Sequence, residues 1–79
     1  MSFALETYSV VLLSAGENKI KIIKVYRKVT GQGLSEGKDA VENVPSVVIS
    51  GQNLETCRKV MEAFENQGAV AEIRKDSCS

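Results

Sequence analysis

The chain has 79 residues, 43% hydrophobic and 25% charged, with ten lysines and arginines balancing ten acids. That length suits one small domain, which buries only about 60% of its unfolded surface, and no apolar run approaches the roughly 20 residues needed to cross a bilayer. Histidine and tryptophan are absent, which removes histidine triads, most zinc sites, the commonest general base and much of the stacking surface for single-stranded nucleic acid.

The opening MSFALETYS has neither the basic n-region nor the long apolar core of a signal peptide, so a cytoplasmic protein is expected. YSVVLL, residues 8–13, reads as a strand. Tyr8, Val10 and Leu12 point one way, and Ser9, Val11 and Leu13 the other. Ala15-Gly16 ends it, and Asn18 is placed to cap a helix over residues 19–30. At about 100° per residue, Ile22, Val25, Tyr26 and Val29 form an ordinary core stripe. Ile20, Ile23, Lys24 and Arg27 gather on nearly the opposite side. Lys19, Lys21, Lys24, Arg27 and Lys28 are five of the ten cations, and no acid occurs between Glu17 and Glu36. The molecule is therefore dipolar, with a local basic surface suited to an acidic partner. The bland reading of this helix is a solvated basic face with two stray isoleucines.

TGQGLSEGKDAVENVP, residues 30–45, looks like a phosphate loop but fails on spacing. A Walker A loop needs glycine five positions before Gly37, where Gln32 stands, and Ser or Thr after Lys38, where Asp39 stands. The dinucleotide pattern begins at Gly31 and Gly33 but then meets Glu36. A tight helix–helix turn suits these glycines better. Gly31 and Gly33 supply the backbone angles and Gly37 allows two helices to approach closely. A second helix is predicted over residues 34–43, with Leu34, Val41 and Val44 buried, and Pro45 stopping it. Residues 46–50 form a short strand, Gly51-Gln52 a turn, and Asn53 a cap for a third helix. Leu54, Cys57, Val60, Met61 and Phe64 make that helix's apolar stripe, and Gly68 is its left-handed stop. AVAEIR, residues 69–74, is the last strand with Ala69, Ala71 and Ile73 inward, and KDSCS is a frayed tail. Two cysteines are no disulfide framework; Cys57 reads as a core thiol and Cys78 as a loose one.

The order β-α-α-β-α-β predicts an α+β two-layer sandwich, with three helices on one face of a three-stranded antiparallel or mixed sheet. One domain spans residues 1–79, its core at about 8–75. No cofactor, metal site or catalytic constellation emerges, so an enzyme is not expected.

The run from Lys19 to Glu42, with V-V-L before A-G-x-N-K, a proline before the second strand and G-A before the last, resembles the C-terminal domain of the bacterial ribosomal large-subunit stalk protein family (L-seven/L-twelve). Lys19, Ile20, Ile23, Lys24, Arg27, Thr30, Gly31, Gly33, Leu34, Glu36, Lys38, Val41 and Glu42 match its pattern, and the likeness covers roughly residues 8–75. The resemblance implies a non-enzymatic module that recruits translational GTPases, elongation factors G and Tu among them. By position, Lys19, Ile20, Ile23, Lys24, Arg27 and Lys38 carry that role. Only MSFALET precedes the first strand, so the family's N-terminal dimerisation domain and hinge are expected to be absent, as in a stand-alone paralogue, a mimic or a fragment. Gln32, Ser35 and Gly37 depart from the usual leucine, lysine and alanine, which weakens the second helix and part of the basic face. Leu13 and Val70 stand where the family usually has charge. With Val11 they are either scattered surface hydrophobes or the contact surface of a homodimer packed sheet on sheet. Other readings are a different acidic protein partner, an adaptor of the proteolysis type sharing this fold, and a nucleic-acid binder using the five cations.

Overall fold

A computed structural model of the protein describes residues 7–76. Among the described residues the order is β1 (Tyr8–Ser14), α1 (Lys19–Thr30), α2 (Leu34–Glu42), β2 (Ser46–Gln52), α3 (Leu54–Glu65) and β3 (Val70–Lys75). The α+β reading holds. The sheet is fully antiparallel, in the order β2-β1-β3. Val10 and Leu12 of the central strand, Val48 and Ala71 of the edges, and Ile22, Tyr26, Ala40, Val41, Cys57, Val60 and Phe64 of the helices close one core. Val25, Val29, Val44, Met61 and Ile73 pack against it as partly buried neighbours.

The predicted signals of α3 are all present. The Asn53 side chain accepts from the Thr56 N–H at 2.7 Å, satisfying one of the first-turn donors that have no partner inside the helix. At the other end, the Ala69 N–H donates to the Phe64 carbonyl and the Gly68 N–H to the Glu65 carbonyl. This pair of bonds closes the helix with a left-handed residue at Gly68 (φ 89°). The turn between α1 and α2 uses Gly31 (φ 73°), whose N–H bonds the Arg27 carbonyl at 2.8 Å. Gly33, in contrast, has ordinary extended angles and serves as the N-cap position of α2.

Four expectations need correction. Asn18 precedes α1 but makes no side-chain cap bond. Leu34 is 59% exposed rather than buried. It opens α2, and burial begins one turn later at Gly37, with Ala40 and Val41 completing the buried face. Gly51 and Gln52 do not leave the sheet; they end β2, and the register slips between the Tyr8–Gln52 and Val10–Ile49 pairs. An extra residue on β2 accommodates that slip, as in a β-bulge. Finally, the chain is not frayed from Lys75 onward. Lys75 belongs to β3, and the Asp76 N–H donates to the Thr7 carbonyl at 2.9 Å. Residues 77–79, including Cys78, lie outside the described residues.

Asp76 fastens all three strands at one end of the sheet. Its carboxylate accepts from the Thr7 hydroxyl and the Gly51 N–H, each at 3.0 Å, and from the Ser9 hydroxyl. These bonds, the one from Ser9 foremost, hold the Asp76 carboxyl below the usual carboxylate range. The linkage sign follows. A folded pKa below the unfolded one adds stability above the ordinary aspartate value of about 3.9, and that contribution is lost as pH falls through the folded value. The stability gap between the protein and its Asp76→Asn variant is therefore expected to be largest near neutral pH and to close in acid. Urea unfolding of both at a series of pH values measures it, and a gap that is unchanged or wider in acid contradicts the assignment. Cys57 is fully buried, and that burial, followed by the Asp76 charge, raises its thiol pKa.

Candidate partner-binding face on helices α1 and α2

Helix α1 carries two faces because its sequence carries two stripes. Ile22 and Tyr26 face the core, while Lys19, Lys24 and Arg27 are exposed and Ile20 is 70% exposed. Ile23 stands between the two sides, partly buried. Positions 20, 23, 24 and 27 follow the i, i+3, i+4, i+7 spacing, so their side chains lie together along one side of the helix.

Gly37 brings α2 against this side. A β-carbon on Gly37 would stand 3.1 Å from Ile23 Cγ2 and 3.5 Å from Arg27 Cγ. The contact with Ile23 would be tight and that with Arg27 ordinary, so glycine lets Ile23 sit close against α2. Lys38 follows Gly37, and Leu34 lies one turn before it on the same side of α2. Leu34 thus extends the apolar line begun by Ile20 and Ile23. Sequence periodicity assigned it to the core because it shares a helical face with Val41. Its position at the first residue of α2, just past the turn, was the available sign that it projects beyond the core.

Among the described residues the one ion pair joins Arg74 to Glu72, on β3. Lys19, Lys24, Arg27 and Lys38 form no ion pair among the described residues. The start of α1 breaks the usual helix rules. Its first turn holds no acid, Lys19 and Lys21 lie at the positive end of the helix dipole, and the cap position makes no side-chain bond. Such local conflict is characteristic of a surface kept for another purpose. Lys19→Glu is expected to stabilise the fold by about 0.3–1 kcal/mol. A lower urea midpoint for that variant would contradict this reading of the helix start.

The open face of the sheet differs from expectation. Val11 is only 4% exposed, lying on the central strand between Val47 and Glu72 of its neighbours. It therefore supplies almost no contact area. The exposed apolar residues there are Val47 and Val70, with Leu13 partly buried.

With this geometry in place, comparison with known proteins decides the family. Residues 8–74 match the family described as Ribosomal protein L7/L12 C-terminal domain. The chain belongs to that family. It is 46% identical over 67 residues to the large ribosomal subunit protein bL12 of Nitratiruptor sp., covering 85% of this chain and 53% of the relative. The bL12 of Sulfurimonas denitrificans is 43% identical over 67 residues (85% and 55%), and that of Helicobacter pylori 42% over 67 residues (85% and 54%). The chain thus spans about half the length of the curated relatives it matches. The L7/L12 C-terminal domain family is a family of ribosomal stalk proteins, not of enzymes. No helix among the described residues is long and apolar enough to cross a membrane.

Proposed function

We propose that this domain recruits translational GTPases to the large ribosomal subunit, working in the cytoplasm, by docking the α1–α2 face against an acidic, partly apolar surface of the factor. One observation carries the proposal: an apolar ridge of exposed Ile20 and Leu34 with partly buried Ile23 between them lies among four cations that form no ion pair among the described residues. The ridge supplies area to desolvate. The lysines and arginine steer the encounter and fix orientation. The face spans only two short helices, so the interface falls at the small end of protein contacts, below about 1,200 Å², where binding is weak and exchange fast. Fast exchange suits an arm that captures one factor after another. Identity above 40% to large ribosomal subunit proteins bL12 supports this reading.

Fluorescence anisotropy of the labelled domain, titrated with elongation factor G at several salt concentrations, tests this. Saturable binding that weakens steadily as salt rises is expected, because the rim charges are solvent-exposed and screened. Absence of binding at low salt, or binding indifferent to salt, would count against it.

A further inference from the structure

Among the described residues, the large hydrophobic side chains left exposed fall into two pairs. Ile20 and Leu34 belong to the basic α1–α2 face, while Val47 at 58% and Val70 at 51% lie on the open face of the sheet. We propose that this open face is the interface of a weak homodimer, in which the sheets of two copies pack face to face with their helices outward.

Strand register gathers the apolar groups. Val47 pairs with Val11 across β2 and β1. Alternation with the core residues Val48, Val10 and Leu12 turns both away from the helices. Leu13 follows two residues after Val11 on the same side, partly buried. Val70 lies opposite Ser14, next to Leu13, while its own neighbour Ala71 faces the core. Val11 is a filled floor, and Val47, Leu13 and Val70 supply the contact.

Charge selects the occupant. β3 contributes Glu72 and Arg74 to this side, and they pair with each other within the chain. The face is therefore locally neutral, and two copies meet on it without opposing like charges. The α1–α2 face offers no such match, since its cations would oppose those of the copy. A strongly charged partner gains nothing from a neutral sheet face, whereas a second flat face does. Stacked sheets sit about 10 Å apart with their side chains interleaved, and a two-fold axis lets one patch serve both copies. Area sets the strength. Three strands about 4.8 Å apart, each about six residues long, make a face of about 14 Å by about 20 Å. That falls well short of the roughly 800 Å² per partner of a standard interface. The dimer is weak and forms as concentration rises.

Sedimentation equilibrium from about 10 μM to about 1 mM tests this, with two-dimensional NMR over the same range. The mass is expected to climb from one chain toward two, with shifts at Leu13, Val47, Val70 and Glu72 and none on α1. Val47→Glu/Val70→Glu should weaken association at least about tenfold, by placing like charges in the contact. Val47→Thr/Val70→Thr keeps the branched shape that strands favour and should weaken it about threefold or more. Neither valine belongs to the core, and the NMR spectrum of each dilute variant reports whether the fold is kept. Lys59→Gln, on the far side in α3, should leave association unchanged. A mass of one chain up to about 1 mM would overturn the dimer. So would association undiminished in the folded variants, or shifts on α1 in place of the sheet. Shifts on this face when elongation factor G is added to a chain that stays monomeric would overturn the choice of a second copy, by giving the face to the factor.

Discussion

Replacing Gly16 with alanine is expected to destabilise the protein by about 2–4 kcal/mol. Two causes add. Gly16 has φ 71°, where a β-carbon costs about 1–2 kcal/mol. That β-carbon would also stand 2.4 Å from the carbonyl oxygen of Gly68, a backbone atom that cannot rotate away. The loop entering α1 and the turn leaving α3 touch at this point, so relief requires moving one of them. A domain of this size holds only about 4–12 kcal/mol in total. Gly31→Ala separates the two causes. Gly31 has nearly the same φ, but nothing lies within 4 Å of its would-be β-carbon. That substitution should cost only about 1–2 kcal/mol. Urea unfolding of both variants measures the difference. Equal losses would mean that the approach of Gly16 to Gly68 contributes nothing.

The second large effect concerns binding. Ile20→Asp combined with Lys24→Glu is expected to weaken factor binding at least about tenfold, with stability unchanged or slightly higher. Ile20 is exposed and outside the core, so its loss leaves no cavity. An acid in the first turn of α1 suits the helix dipole, and a weaker interaction therefore cannot be attributed to a damaged fold. The substitution removes apolar area at the ridge and reverses a steering charge beside it. Anisotropy titration gives the affinity, and the urea midpoint gives the stability. Full affinity in the double variant would remove the ridge from the binding account.

The elements of this fold are legible because each is specified locally. Period and punctuation place α1 at its observed bounds and α3 between its Asn53 cap and its Gly68 stop, and the alternation of Val10 and Leu12 against Val11 places the central strand's faces. What stayed hidden depends on neighbours distant in sequence. Val11 is closed in by strands on either side, which alternation alone cannot report. Asp76 reads as tail because its hydroxyl and amide partners come from β1 and β2. Gly16 reads as a strand end because Gly68, its reason for being glycine, lies on another turn. The candidate face was largely legible, since its residues share one helix and one stripe. Leu34 was the exception. It keeps the core's period but opens α2 ahead of the buried turn, and its exposure appears only when the helices are packed.

The most direct measurement is a two-dimensional NMR titration of the labelled domain with elongation factor G. Perturbations confined to Lys19, Ile20, Ile23, Lys24, Arg27, Leu34 and Lys38, fading with added salt, are expected if the α1–α2 face is the docking surface. Perturbations centred elsewhere, on the open sheet face or on α3, with this ridge unmoved, would contradict it.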